Sequence, residues 1–170
     1  MLTRQTRWRR ALLEHLESPD VARIIYGSVV GLAVVVALQF HPPKPGQAAA
    51  AIIGTGIAIG LAEVYSELIG AQARKRRPVE RREFRDMTRE AGAAAFGAGF
   101  PAVFFLLAAA GAFGMPLAFR LAKWTGLGLI CGYGFLASRL AGETVARAVF
   151  HAALVGAIGG ALIAFKALFH

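Results

Sequence analysis

Two carboxylates one helical turn apart are the side chains best suited to chemistry in this sequence. Glu63 and Glu67 lie in an apolar, glycine-rich run, with Ser66 beside them. Residues four apart share a helix face. Carboxylates this close can share a proton, because like charges raise one pKa, or bind a hard divalent cation through oxygen. The spacing predicts an ion- or proton-binding site, with Glu63 and Glu67 as the candidate metal ligands.

A structural role for the same glutamates is the alternative. Arg23, Arg147 and His151 are predicted to lie near the same end of the apolar segments and could neutralise Glu63 or Glu67. His151 is itself a candidate proton relay or ligand, or else a hydrogen-bonded packing histidine. An ionisable residue inside an apolar segment points to function by default, so both interpretations stay open.

The composition indicates an all-α polytopic membrane protein of one domain. Of the 170 residues, 56% are hydrophobic and 17% are charged, against about a quarter charged in soluble domains. Apolar blocks separate the charged stretches and reach the ~20 residues that a helix needs to cross a bilayer. The net charge of +9 comes mainly from two basic segments, which predicts contact with anionic lipid and not with nucleic acid.

The chain divides into a short N-terminal part and a transmembrane domain. Residues 1–20 predict a cytoplasmic amphipathic helix, and residues 21–170 a bundle of five transmembrane helices. A basic cytoplasmic linker, 74–90, follows the second span, and Pro101 is predicted to kink the third and to act as a hinge. The predicted spans are about 21–40, 47–73, 91–113, 117–138 and 145–169.

The distribution of Lys and Arg predicts the orientation. With five spans and a cytoplasmic N-terminus, fifteen of the 19 basic residues lie on the cytoplasmic side. Cytoplasmic loops carry this excess in membrane proteins. The sequence therefore predicts a protein integral to the cytoplasmic (inner) membrane, with the N-terminus inside and the C-terminus outside.

Pairs of glycines four residues apart predict close helix packing. Small residues let helix backbones approach in a membrane, where hydrophobic burial gives no drive for association. The pairs predict a tight bundle, and either a homodimer or assembly into a larger membrane complex. They are Gly27 and Gly31, Gly56 and Gly60, Gly128 and Gly132, and Gly156 and Gly160.

Three short motifs resemble the vacuolar iron transporter (VIT) family. Residues 27–32, Gly-Ser-Val-Val-Gly-Leu, are similar to the family's Gly-x-x-Asp-Gly-Leu, and residues 62–66 to its Gly-Glu-Tyr-x-Ser region. The run 142–147, followed by two glycines, is similar to its last span. The resemblance implies five spans, a cytoplasmic insertion after the second span, and transport of Fe²⁺ or Mn²⁺.

The sequence departs from that family at its metal-handling positions. Val30 stands where the family has an ion-binding aspartate, and the methionines (Met1, Met87 and Met115) fall outside the middle of the predicted spans. The linker is rich in arginine, where the family has glutamate-rich helices. Under this resemblance, Glu63 and then Glu67 are the candidate ion or proton groups.

Two functions follow as competing predictions. The first is a small transporter of a divalent cation (iron or manganese) or of protons that uses intramembrane carboxylates. The second is a non-catalytic structural or accessory subunit of a larger membrane complex, packed through its glycine faces. No nucleophile–base pair, phosphate-binding loop or Cys/His metal spacing occurs in the sequence, so we expect neither an enzyme nor a bound cofactor beyond a transported cation.

Overall fold

The computed structural model describes residues 20–168, with the side chains of residues 21–161 except 140, 155, 158 and 159. The predicted amphipathic helix in residues 1–20 lies outside this range apart from its last residue. The described part is all-helical, as predicted, and no strand occurs in it. Its six helices are α1 (Asp20–Leu38), α2 (Pro45–Lys75), α3 (Arg81–Gly99), α4 (Ala102–Ala109), α5 (Met115–Leu140) and α6 (Val145–Leu168).

Two or three of these helices are long and apolar enough to cross a membrane. They are α1, over Val21–Leu38, and α2, over Pro45–Lys75, with α3 and α4 together making a third as a bent pair. A shorter apolar stretch, Val145–Leu154, opens α6. The described chain is thus compatible with membrane localisation, but only two or three of the five predicted spans meet these criteria.

The third predicted segment and the linker before it share one helix. The chain leaves α2 at Lys75 and re-enters a helix at Arg81, so the break falls around Pro78, as the sequence indicates. From there α3 continues without interruption through Gly99. Between α3 and α4 the axis bends by 51° at Pro101, which has no N–H for the helical ladder. The predicted kink is confirmed.

Ion pairs organise the turn between α2 and α3. Lys75 Nζ lies 2.6 Å from Glu83 Oε1, and Arg77 reaches the same oxygen at 2.8 Å. The hydrogen bond from Lys75, then that from the Glu80 N–H, then Arg77 lower the pKa of Glu83 to about 2. The turn therefore keeps a charged acid at the start of α3, where the helix dipole also favours it.

Helices α1 and α3 cross at backbone contact. A Cβ added to Gly27 would overlap the carbonyl oxygen of Ala94, and one on Gly31 would lie 2.5 Å from that of Ala98. Both contacts advance in the same direction, so the two helices are parallel. The contact is reciprocal, because a Cβ on Gly97 would overlap the carbonyl oxygen of Ile24. The prediction that Gly27 and Gly31 mediate helix packing is confirmed.

Helix α2 packs antiparallel against the other side of α3. A Cβ on Gly56 would lie 2.8 Å from the Ala95 carbonyl oxygen, and one on Gly60 would lie 3.2 Å from the Ala95 side chain. The packing role predicted for Gly56 and Gly60 is confirmed. Alanines and glycines of α3 thus hold α1 and α2 together, and only a helix this poor in large side chains could fit between them.

The two halves of the bundle repeat each other at an offset of 70 residues. Adding 70 converts the contact of Gly27 with Ala94 into that of Gly97 with Ile24, read from the opposite side. Thr55 and Thr125, also 70 apart, each donate to the carbonyl four residues earlier. The pair α1–α2 and the unit α3–α5 are therefore related by an approximate two-fold. Four pairs in the main core follow this offset: Val35 and Phe105, Ala48 and Ala118, Ala49 and Phe119, and Ile52 and Ala122.

Helix α6 stands outside the repeat and packs on α5 and α1. A Cβ on Gly156 would lie 2.5 Å from Cys131 Sγ, so the packing role of Gly156 is confirmed. The predictions for Gly128, Gly132 and Gly160 are wrong within the described residues. No atom lies within 4 Å of a Cβ built on any of these three, because α6 contacts the adjacent stripe of α5 instead.

Candidate functional site

One arginine joins the first three helices at one end of the bundle. Arg23 lies in the first turn of α1, with its side chain 18% exposed. Its Nη1 donates to Glu63 Oε2, and its Nη2 donates to Glu67 Oε1 at 2.9 Å. The same Nη2 lies 2.6 Å from Glu90 Oε2. Four charged groups from α1, α2 and α3 thus form one cluster, named here the Arg23 cluster.

Packing of α3 explains why these groups meet. Glu63 and Glu67 occupy one stripe of α2 together with Gly60, which packs on α3. Glu90 precedes Ala91, which is buried against its neighbours. The close helix contacts therefore bring carboxylates from two helices to the guanidinium, whose planar fork presents several donors at once.

The Arg23 cluster carries an excess of negative charge. One guanidinium faces three carboxylates, a formal charge of −2 when all are ionised. The carboxylate side chains are 24% to 34% exposed, so solvent reaches the site in part. A charge excess at a partly desolvated site favours uptake of a proton or a cation.

Ser66 contributes an acceptor to the edge of this site. Its hydroxyl donates to the backbone carbonyl of Glu63 at 3.0 Å, so its proton is committed within the helix. The prediction places Ser66 beside the glutamates, and the structure does so, but the described bond is to the backbone and not to either carboxylate.

A groove opens beside Glu63, between α1 and α2. Tyr26, Thr55, Ile59, Ala62 and Glu63 contribute to its wall, with Ser66 at one end. The Thr55 hydroxyl donates to the Ala51 carbonyl at 2.9 Å. Glu63 therefore belongs to both the ion-pair cluster and the groove, whereas Glu67 and Glu90 do not line the groove.

His151 forms a separate polar cluster between α5 and α6. Its Nδ1 lies 2.8 Å from Glu143 Oε2 and 3.0 Å from Ser138 Oγ. In a nucleophilic triad the serine and the acid contact opposite ring nitrogens, whereas here both contact Nδ1. The arrangement matches the hydrogen-bonded packing histidine, and His151 does not join Glu63 or Glu67.

The carboxylates are not arranged as a metal centre. Within the part of the chain that the structure describes, no group of three or more His, Cys, Asp or Glu side chains could hold a metal ion. The guanidinium of Arg23 lies between the glutamates that a metal would need to bridge. Glu63 and Glu67, predicted as tentative metal ligands, are bound instead to Arg23.

Sequence reasoning missed the third carboxylate. Glu90 lies in the charged linker and looks like one of its solvated acids, since a single sequence does not reveal that α3 begins at Arg81 and runs between α1 and α2. The spacing of Glu90 from Ala91, Ala94 and Ala98, all buried, is the one signal that could have placed it near the α1 face. Arg23 is named above only as one possible neutralising partner.

Comparison with protein-family models, with curated proteins and with solved structures gave no match to this chain. The likeness to vacuolar iron transporters therefore depends on the three short motifs alone. The argument for function depends on the Arg23 cluster and its surroundings.

Proposed function

We propose that this chain is a small membrane transporter in which the Arg23 cluster binds a proton or a divalent cation on its way across the bilayer. The observation that carries the proposal is the charge balance of the cluster, three carboxylates against one guanidinium. A purely structural ion pair needs one acid for each base, and two acids remain in excess here.

Arg23 acts in this proposal as an internal counter-ion. Its guanidinium holds the carboxylates together when no substrate is bound, and an incoming proton or cation weakens its bond to Glu63. Because Arg23 contacts carboxylates on both α2 and α3, loss of one bond changes how these helices are tied together. Coupled binding and helix movement of this kind is what a transport site needs.

Flux measurements in proteoliposomes test the proposal. Wild-type protein is reconstituted with an internal pH dye for H⁺, and in parallel with a Mn²⁺- or Fe²⁺-sensitive dye. The Glu63→Gln variant should lower the flux at least about tenfold, the effect of 1.4 kcal/mol. Glu80→Gln removes an exposed linker acid paired with Arg77 and is the matched control, with flux expected to be unchanged.

Flux that Glu63→Gln leaves intact would remove Glu63 from the pathway. Absence of any wild-type flux, together with copurification of a fixed membrane partner, would overturn the transport proposal as a whole. Wild-type flux of H⁺ without metal flux would identify the proton as the substrate, in agreement with the absence of a metal-binding arrangement among the described residues.

An accessory subunit is the second candidate, and the outer face of α2 favours it. Ile57, Leu61 and Tyr65 recur every four residues and are 57%, 67% and 68% exposed. Such a face suits lipid, a second copy of the chain or a helix of a larger complex. Under this proposal the Arg23 cluster fixes the three-helix core, and the α2 face makes the external contacts.

A further inference from the structure

The groove between α1 and α2 combines an apolar wall with a carboxylate. Ile59 and Ala62 supply apolar surface, and Tyr26 supplies an aromatic ring that is 52% exposed. Glu63 supplies the charge, at the point where the groove meets the Arg23 cluster. A site with one acid set against apolar surface discriminates between ligands by charge and by shape together.

The hydroxyls of this groove are available as acceptors. Thr55 and Ser66 spend their protons on backbone carbonyls of their own helix, which leaves lone pairs for a ligand. With the Glu63 carboxylate they form a set of acceptors, so the groove suits a ligand whose head group carries several N–H donors and a positive charge.

The structure already contains one such head group. The Arg23 guanidinium donates to Glu63 from the α1 side, and a carboxylate oxygen can accept more than one bond. We propose that the groove binds a free organic cation with a guanidinium or ammonium head and an apolar body, with the head at Glu63 and the body against Tyr26 and Ile59. The inference depends on the proposed function, since it names a substrate class for the same carboxylate.

The two-fold repeat supports this assignment by contrast. The position equivalent to Glu63 in the second half is Tyr133, and that of Ser66 is Leu136. The wall is retained in kind, with Phe96 for Tyr26 and Leu129 for Ile59, but the acid and one hydroxyl are lost. A recognition role confined to one half explains why the polar groups differ while the packing residues repeat.

Calorimetry on the purified full-length protein in maltoside micelles tests the inference. The probe is phenethylguanidinium, and phenethylurea is its neutral counterpart of nearly the same shape. The guanidinium should bind saturably and the urea at least about tenfold more weakly, a loss of 1.4 kcal/mol. Equal heats from both ligands would indicate partition into the micelle and would overturn the proposal.

Two glutamate variants locate the site. Glu63→Gln should weaken guanidinium binding about thirtyfold, as loss of a desolvated charge pair does. Glu67→Gln removes a carboxylate that contacts Arg23 but does not line the groove, and it should change binding less than about threefold. Equal losses in both variants would assign binding to the Arg23 cluster and would overturn the groove.

A wall variant keeps the test decisive if Glu63→Gln does not fold. Tyr26→Ala leaves the ion pairs in place and should weaken binding about fivefold, through lost contact with the apolar body. Proton or Mn²⁺ flux without guanidinium binding would reject this inference alone. Guanidinium binding without flux would reject the transport proposal and leave a cation-binding groove.

Discussion

The two halves of the bundle share a backbone arrangement and differ in chemistry. Gly27 of the first half and Gly97 of the second make the same contact with opposite partners. The first half contributes Arg23, Glu63 and Glu67 to a charged cluster, whereas the positions 70 residues later hold Ala93, Tyr133 and Ala137. The packing is thus duplicated and the charge is not.

This difference separates what the fold needs from what a site needs. Residues that both halves retain, such as Thr55 with Thr125 and Gly56 with Gly126, serve packing and local hydrogen bonding. Residues that one half alone carries are dispensable for that arrangement. The Arg23 cluster belongs to the second kind, which is why we place function there.

The largest predicted effect tests the shared part of the comparison. Gly27→Ala puts a methyl group onto the Ala94 carbonyl oxygen, and neither backbone can move without separating α1 from α3. We expect a loss of about 3 kcal/mol in the free energy of unfolding, the upper range for overpacking. Gly97→Ala should cost the same, because the two-fold makes the contacts equivalent. Denaturant titration in micelles, followed by circular dichroism, measures both.

Gly54→Ala is the matched control for this pair. No atom lies within 4 Å of a Cβ built on Gly54, so the substitution should be neutral, or stabilising by up to about 1 kcal/mol through helix propensity. Markedly unequal costs at the two crossing glycines would mean that the repeat does not describe the energetics. A costly Gly54→Ala would reveal a partner on the outer face of α2.

The second prediction tests the part that the halves do not share. Arg23→Met leaves three carboxylates without their counter-ion. Breaking a buried ion pair costs ~3–5 kcal/mol, and we expect about 2 kcal/mol here because the side chains are partly exposed and screened. Arg147→Met, at an exposed arginine of α6, should stay within about 0.5 kcal/mol.

Partial rescue distinguishes repulsion from lost packing. Adding Glu63→Gln to Arg23→Met removes one of the three like charges and should recover about 1 kcal/mol, a coupling within the range for contacting groups. Lost van der Waals contacts of the arginine stem would not be restored by that change. Strict additivity of the two substitutions would therefore show that the carboxylates do not repel one another in this cluster.

Periodicity and composition were sufficient to predict the helical class and most helix bounds. The second segment, predicted at about 47–73, is observed as Pro45–Lys75, and the kink at Pro101 follows from proline chemistry alone. The packing glycines of α1 and α2 were also predictable, because GxxxG spacing has a direct geometric meaning. These features depend on local sequence.

Features that depend on distant contacts were not predictable. The offset of 70 residues leaves few identical residues between the halves (Gly27, Ala48, Thr55 and Gly56 with their counterparts), since core positions need volume and not identity. Gly128 and Gly132 have the same spacing as Gly27 and Gly31, yet contact no other helix. Spacing predicts that a close approach is possible, and only the fold decides which face is used.

The smallest predicted effect concerns the helix that the repeat does not contain. Gly156→Ala places a Cβ 2.5 Å from Cys131 Sγ, a clash that a rotation of one side chain relieves in part, so we expect a loss of about 1 kcal/mol. Cys131→Ala in the same chain should remove that loss, with a coupling energy of similar size. The residue equivalent to Cys131 in the first half is Leu61, which is 67% exposed and faces no helix of the described chain. Leu61→Ala should consequently cost less than about 0.5 kcal/mol. A larger cost in the isolated protein would mean that the α2 face packs on a second copy, and the two halves would then differ in which chain covers them and not in whether they are covered.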